Sequence, residues 1–222
     1  MSFANKVIRF CENLKSPQKL PGGVEVLNPS IDLEIKNIVK EFYLKYYNDN
    51  HSRIYLFGIN PGRFGGGLTG IPFTDPVALE EFCGIKNSLD KKRELSSKFI
   101  YRLIDKYGGA KKFYSKIFVT ALYPLALLKQ GKNYNYYDNA KLYSILKPQI
   151  ISLLKEQISF GAKNNFAISL GRKNAKYLIE INSSLNFFKQ IKVLDHPRYI
   201  MQYRLKSLNY YVDTYLQELS NK

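Results

Sequence analysis

Short apolar runs alternate with longer amphipathic segments along the chain. The runs are rich in β-branched and aromatic residues and have the length of buried strands, whereas the intervals have helical periodicity. Strands that alternate with helices form parallel sheets with helices on both faces. We therefore predict an α/β fold, a three-layer α/β/α sandwich around a central four-stranded, mainly parallel sheet. The predicted strands are residues 54–57, 117–120, 166–169 and 191–194.

Helical spacing of apolar residues predicts the elements between these strands. Residues 5–14, 30–49 and 94–107 each favour an amphipathic helix. A further stripe covers residues 142–154, where Pro148 predicts either a kink or two shorter helices. One long final helix is predicted from a last stripe, formed by Met201, Leu205, Leu208, Val212, Tyr215 and Leu219.

The chain has no internal repeat, low-complexity linker or charge block. Its 222 residues are enough for one core, and we predict a single domain over residues 1–222 with a helical N-terminal extension at residues 1–23. Cys11 and Cys83 lie too far apart to indicate a disulfide framework or a metal site. With no signal peptide or membrane span in the sequence, we expect a cytoplasmic protein that does not bind membranes.

Positive charge dominates the composition. Lys and Arg number 34 against 18 Asp and Glu, which gives a formal net charge of +16. Such an excess on one domain indicates a polyanionic partner such as a nucleic acid. The alternative is a solvated basic surface without a specific partner.

Unusual residues follow each predicted strand. A glycine-rich segment, 58–73, follows the first, and residues 121–133 follow the second. Gly171-Arg172 follows the third strand, and the sequence Asp-His-Pro-Arg at 195–198 follows the fourth. Because ligands bind beyond the carboxyl ends of parallel strands, we expect these four segments to be loops that meet in one site.

The glycine-rich segment matches a dinucleotide-binding fingerprint in residue spacing but not in structural context. Gly65, Gly67 and Gly70 have the spacing of that motif. The motif belongs in a tight turn from a strand directly into a helix, whereas here it lies several residues beyond the strand. We therefore reject nucleotide-cofactor binding at this position.

Three side chains in these segments are candidates for chemistry. Asn60 is either a turn residue before Pro61 or an amide that holds a water molecule. Phe73 is either part of the core or a platform for a base. His196 either caps a loop or acts in a site, whereas His51 lies in a polar turn and is expected to be exposed and inert.

The same segments resemble a known family. Residues 58–65, Gly-Ile-Asn-Pro-Gly-Arg-Phe-Gly, and 69–73, Thr-Gly-Ile-Pro-Phe, are similar to the first motif of the uracil-DNA glycosylase superfamily. They most resemble its single-strand-selective monofunctional family, which has Gly-Met-Asn-Pro-Gly-Pro-Phe-Gly and Thr-Gly-Val-Pro-Phe. Residues 118–125, 131–133 and 171–172 resemble further motifs, and 196–198 match the closing His-Pro-Ser-Pro-Arg loop in part. The resemblance spans roughly residues 24 to 204.

This resemblance implies a monofunctional DNA glycosylase of base excision repair that acts without metal or cofactor, and we expect a monomer. Such an enzyme flips a damaged base out of DNA and hydrolyses its N-glycosidic bond. Asn60 would position the attacking water, and His196 would donate a hydrogen bond to the departing base. Implied for the base pocket are Gly58, Ile59, Pro61, Gly62, Thr69, Phe73 and Ala121. Implied for DNA binding are Arg63, Lys132, Gly171, Arg172, Lys173, Arg198 and Tyr199.

Two positions depart from the family pattern. Ala121 stands where the family has an Asn that reads the edge of uracil, and a methyl group forms no such hydrogen bond. Either a wider range of deaminated bases is accepted, or Thr120 or Asn133 supplies the contact. The closing loop lacks the Ser-Pro, so Arg198 and Tyr199 are either a wedge in the DNA or the exposed first turn of the last helix.

Two other functions remain open at this point. One is a non-catalytic DNA-binding relative, for which Ala121 is the best argument. The other is an enzyme that acts on free nucleosides or nucleotides. We expect an active glycosylase because Asn60 and His196 are both present.

Overall fold

A computed structural model describes residues 1–220, and its centre is a parallel sheet. The strands are β2 (Arg53–Gly58), β3 (Ile117–Ala121), β6 (Ala162–Leu170) and β7 (Ile191–Leu194). Their order across the sheet is β3-β2-β6-β7, and all three pairings are parallel. Helices flank this sheet, so the predicted α/β class and all four predicted strands are confirmed.

The register of the sheet brings the strand ends together. Every residue of β2 is buried, as expected for a central strand covered on both faces. At its carboxyl end Gly58 pairs with Ala121 on one side, and Phe57 pairs with Ser169 on the other. The segments that follow β2, β3 and β6 therefore leave the sheet at the same edge.

A second, antiparallel sheet lies in a region that the sequence pattern predicts as loop. It consists of β1 (Val24–Leu27), β4 (Ala126–Lys129) and β5 (Lys132–Tyr134), in the order β1-β4-β5. Gln130 and Gly131, both with positive φ, form the two-residue turn between β4 and β5. The loop prediction for residues 121–133 is wrong because these strands are short and Gln is an unusual residue for such a turn.

Helices occupy most of the remaining chain. They are α1 (Phe3–Glu12), α2 (Leu33–Tyr47), α3 (Gly66–Thr69), α4 (Pro76–Glu81), α5 (Leu95–Tyr107), α6 (Ala110–Tyr114), α7 (Ala140–Ser159), α8 (Arg172–Leu185), α9 (Pro197–Tyr203) and α10 (Leu208–Ser220). Short 3₁₀ turns occur at Pro29–Ile31 and Leu205–Ser207. Within residues 1–220, no helix combines the length and the apolar character that crossing a membrane requires.

Two helix predictions differ from the structure. The alternative of two short helices around Pro148 is wrong, since α7 continues through it as one helix. The single final helix is also wrong, because α9 ends at Tyr203 and α10 begins only at Leu208. Leu205, a member of the predicted stripe, is 56% exposed in the 3₁₀ turn between them.

The N-terminal helix is part of the hydrophobic core. Phe3, with other apolar residues of α1, is buried against the sheet. The Arg53 guanidinium is also buried, and it lies 4.4 Å from the Phe3 ring centroid. Its Nε donates to the Tyr114 carbonyl at 2.8 Å, and Nη2 donates to Asp49 Oδ2 at 2.7 Å. A buried cation with a hydrogen bond from each of its three nitrogens therefore joins the start of β2 to α1 and α6.

Candidate active site

A cavity of about 300 Å³ opens at the carboxyl edge of the parallel sheet. The end of β3 and the segments after β2, β5 and β7 all contribute to its wall. Its lining residues are Gly58, Ile59, Asn60, Pro61, Gly62, Pro72, Phe73, Glu94, Ser96, Ala121, Asn133, Asn135, His196 and Arg198. Most residues predicted for catalysis and for the base pocket therefore lie in one place.

Asn60 is held by the hairpin formed by β4 and β5. Its Nδ2 donates to the Tyr134 carbonyl at 3.0 Å, and its Oδ1 accepts from the Tyr136 amide at 3.2 Å. These two bonds fix the orientation of the amide. Each amide atom retains one further hydrogen-bonding position, which a water molecule can occupy.

Phe73 has a backbone conformation that non-glycine residues rarely adopt. Its φ is +54°, in the left-handed region, and such conformations persist where surrounding contacts enforce them. The ring lies so close to Gly58 that an added Cβ there would come within 2.6 Å of it. The ring centroid is 5.8 Å from that of His196. A flat apolar face is thereby fixed in the cavity wall.

His196 caps a helix and lines the cavity at the same time. Its Nδ1 accepts from the Arg198 amide at 3.2 Å, so the imidazole proton lies on Nε2. Burial, reinforced by the nearby Arg198 charge, lowers the pKa of His196 to about 4. The ring is therefore neutral at physiological pH, and Nε2–H has no hydrogen-bond acceptor among residues 1–220. Both interpretations offered by the sequence, cap and site residue, are compatible with this position.

Asn174 is a buried polar residue beneath the site that the sequence pattern does not reveal. Its Nδ2 donates to the carbonyls of Phe57 and Gly58, both at 3.2 Å, and to Ser169 Oγ at 3.1 Å. Its Oδ1 accepts from the Tyr136 hydroxyl at 2.8 Å. One amide thus joins the ends of β2 and β6, helix α8 and the segment after the hairpin.

Glu94 is a second site residue without a sequence signal. It occupies the N-cap position of α5, but its side chain accepts no hydrogen bond from that helix. The carboxyl instead lies against Gly62 and Gly65, where a Cβ on either glycine would collide with a carboxyl oxygen. Burial, together with the nearby Asp75 charge, raises the pKa of Glu94 to about 7, with Arg198 opposing the shift.

One predicted base-pocket residue lies elsewhere. Thr69 is buried and does not line the cavity. Its Oγ1 donates to the Thr74 carbonyl at 2.7 Å and holds the turn that carries Phe73. Thr120 is likewise buried, with its hydroxyl hydrogen-bonded to Gln157, whereas Asn133 reaches the cavity.

A basic groove adjoins the cavity. We call it the outer groove, and its volume is about 440 Å³. It is lined by Arg63, Phe64, Arg93, Glu94, Leu95, Lys132, Asn133 and Arg198. Three of the predicted DNA-binding residues, Arg63, Lys132 and Arg198, therefore lie together beside the cavity.

The other predicted DNA-binding residues lie outside both spaces. Gly171 precedes α8, and a Cβ built on it would be 3.5 Å from His196 Cβ. Arg172 lines a separate groove between α8 and α10, and Lys173 lies 4.5 Å from the Tyr137 ring centroid. Tyr199 is 37% exposed in the first turn of α9.

Comparisons with known proteins agree with this geometry. The family model described as "Uracil DNA glycosylase superfamily" matches residues 44–220, and the chain belongs to that superfamily. It is a monofunctional DNA glycosylase, a hydrolase of N-glycosyl bonds.

Among solved structures, the chain is similar to the crystal structure of wild-type SMUG2 from Pedobacter heparinus. The two share 42% sequence identity with a TM-score of 0.94, over 98% of this chain and 97% of that chain. This similarity agrees with the single-strand-selective monofunctional family indicated by the motifs. Comparison with curated proteins gives no match.

Replacement of Asn174 by Ala should destabilise the protein by about 2–3 kcal/mol. The change leaves buried carbonyls and the Tyr136 hydroxyl without their partner. Urea unfolding measures the effect. Asn37→Ala, at an exposed position of α2, is the matched control and should change stability by less than about 0.5 kcal/mol. Equal stability of the two variants would show that the Asn174 network contributes nothing.

Replacement of Glu94 by Gln should stabilise the protein at alkaline pH but not at acid pH. The pKa of Glu94 is about 7 in the folded protein and 4.5 for an ordinary Glu, so wild type loses stability as pH rises between these values. The gain above pH 7 should approach about 3 kcal/mol, and it should vanish below about pH 4. Thermal unfolding across pH measures it, with exposed Glu156→Gln as the control. A gain that is the same at all pH values would contradict the shifted pKa.

Proposed function

We propose that this glycosylase releases uracil and related deaminated bases from DNA, with Asn60 and His196 as its catalytic residues. The observation that carries this proposal is the meeting of three groups in one cavity. These are a fixed amide, an uncharged Nε2–H donor and an aromatic face. Hydrolysis of an N-glycosidic bond uses all three, for the water, the leaving base and the base plane.

Asn60 positions the attacking water. Because two backbone groups of the hairpin orient its amide, the remaining hydrogen-bonding positions point in fixed directions. A water molecule held in this way has already lost most of its translational and rotational entropy, so that loss adds little to the barrier of the reaction. The same bonds make the geometry of the site depend on the hairpin.

His196 stabilises the base as it leaves. The sugar gains positive character as the bond breaks, and the base carries negative charge. A neutral imidazole can donate Nε2–H to a carbonyl oxygen of that base, and a low pKa keeps the donor in this form. Loss of a donor of this type costs on the order of 3 kcal/mol of transition-state stabilisation.

Phe73 stacks on the flipped base. Stacking of one base on an aromatic side chain contributes roughly 1–3 kcal/mol. Gly58, Ile59, Pro61 and Gly62 complete the wall around the base. The strained backbone of Phe73 supports this role, because strain of this kind concentrates at functional sites.

DNA binds across the outer groove. Arg63, Lys132 and Arg198 would contact phosphates there, and the N-terminus of α8 at Gly171 would hold another phosphate. Tyr199, exposed at the start of α9, would fill the gap that the flipped base leaves. We further propose that the protein acts as a monomer in the cytoplasm.

Ala121 bears on selectivity for uracil, because its side chain forms no hydrogen bond with a base. Ala121 lines the cavity and presents a methyl group to it. Asn133 lies in the same wall, and its Oδ1 already accepts from the Arg63 amide at 3.0 Å. Its Nδ2 can therefore donate to a carbonyl of the base, a contact that uracil, hypoxanthine and xanthine all offer.

Asn60→Ala and His196→Ala should each lower base release at least about 100-fold while binding of DNA persists. Single-turnover release from a uracil-containing oligonucleotide, followed by alkaline cleavage of the abasic site, measures the rate. His51→Ala is the matched control, since that side chain is 73% exposed. Unchanged release in both site variants would disprove the catalytic assignment.

Ala121→Asn should sharpen the preference for uracil over purine bases. The added amide supplies hydrogen bonds to one base edge and takes space that a purine needs. The ratio of the release rate for uracil to that for purine bases should therefore rise about tenfold. Single- and double-stranded oligonucleotides with uracil, hypoxanthine, xanthine or hydroxymethyluracil make up the panel. An unchanged profile would exclude residue 121 from substrate selection.

A further inference from the structure

Glu94 lies between the two spaces of the site. Its side chain lines both the base cavity and the outer groove, as do Asn133 and Arg198. Gly62 and Gly65 leave room for its carboxyl, and a side chain at either position would displace it. The glycine-rich turn therefore seats this carboxyl at the edge of the cavity.

The carboxyl oxygens have no hydrogen-bond partner among the described residues. The hydrogen bonds of Glu94 are made by its main chain, from its N–H to Asp75 Oδ2 at 2.9 Å and from Lys98 N–H to its carbonyl at 3.1 Å. Arg198 shares the cavity wall but forms no ion pair with it in residues 1–220. A partly buried carboxyl that lines a cavity and has no protein partner is available to contact a ligand.

Charged groups surround this position on several elements. They are Asp75 before α4, Arg63 in the glycine-rich turn, Arg93 before α5, Lys132 on β5, and His196 and Arg198 around the start of α9. His196 is neutral, so among these groups Arg198 favours an ionised Glu94, whereas burial and Asp75 oppose it. The balance between these groups changes when DNA phosphates enter the outer groove.

The chemistry of base release favours an uncharged group here. A departing base carries negative charge, and an ionised carboxylate in the same cavity would repel it. A protonated carboxyl has an O–H that can donate to an oxygen of the base. We propose that Glu94 contacts the target base as an uncharged carboxylic acid and donates a hydrogen bond to it as it leaves. This proposal rests on the proposed function.

Binding of DNA should itself protonate Glu94. Phosphates in the outer groove would pair with Arg63, Lys132 and Arg198, and so weaken the cations' hold on an ionised carboxyl. The bound strand also covers the cavity mouth and increases desolvation. In the protein without DNA, the pKa of Glu94 is about 7. The protein should therefore take up a proton when it binds DNA above that pH.

The first test measures binding without catalysis. The probe is a single-stranded oligonucleotide with 2′-fluoro-2′-deoxyuridine, whose fluorine opposes positive charge on the sugar and so prevents release. At constant ionic strength, wild type should bind about tenfold more weakly at about pH 8.5 than at about pH 6.5. Glu94→Gln keeps every other titratable group and should show no such change. Calorimetry at about pH 7.5 in buffers of different ionisation enthalpy should show proton uptake for wild type alone.

The second test measures single-turnover release of uracil across the same pH range. The rate of wild type should fall as Glu94 ionises, and Glu94→Gln should stay within about threefold of the wild-type maximum at every pH. Glu94→Ala, which removes the donor, should be slower by about tenfold or more at all pH values. Rescue by Gln but not by Ala separates a hydrogen-bonding role from a purely structural one.

The outcomes separate the two proposals. Wild type that binds without proton uptake, or Glu94→Gln with the pH dependence of wild type, would overturn the role of Glu94 even if base release is normal. A Glu94→Gln enzyme that is inactive at every pH would also overturn it, because an ionised carboxylate would then be required. If wild type releases no base from any oligonucleotide, the proposed function fails, and the binding test still decides whether Glu94 takes up a proton.

Discussion

The buried amide of Asn174 is the interaction on which the geometry of the site depends. It joins the carbonyls at the end of β2 to Ser169 on β6 and to the Tyr136 hydroxyl. Asn60, two residues beyond β2, then bonds the backbone of Tyr134 and Tyr136. The side-chain amides of Asn174 and Asn60 thus both bind Tyr136, in the segment that follows the hairpin. The Asn60 amide is therefore held to the sheet through this segment.

The glycine-rich turn makes room for side chains that form the cavity wall. Gly58 leaves room for the Phe73 ring, and Gly62 and Gly65 leave room for the Glu94 carboxyl. Side chains at these positions would displace an aromatic face or a polar group from the cavity wall. The glycines therefore set the shape of the cavity through other residues, in addition to allowing a base to approach the main chain.

Local patterns predict the parts of the molecule that local chemistry determines. The apolar runs predict the parallel sheet, and Asn60 and His196 are candidates because each follows such a run. The pattern misses Asn174 and Glu94, because both act through tertiary contacts that no spacing encodes. The sequence predicts Asn133 only as an alternative contact, because the hairpin that carries it has short strands and an unusual turn. Leu205 continues the apolar helical spacing in the sequence, but helix α9 ends before it, at Tyr203, and Leu205 is exposed.

Burial favours the uncharged form of two groups in the cavity wall, the base His196 and the acid Glu94. It lowers the pKa of His196 and raises that of Glu94, because each charged form loses contact with water. Near neutral pH the cavity wall therefore holds an uncharged imidazole and a carboxyl that is easily protonated. Arg63, Arg93 and Lys132 line only the outer groove, whereas Arg198 lines both spaces. Under the proposed function, the cations of the groove would attract DNA phosphates in a salt-dependent way, and the uncharged donors of the cavity would stabilise an anionic base.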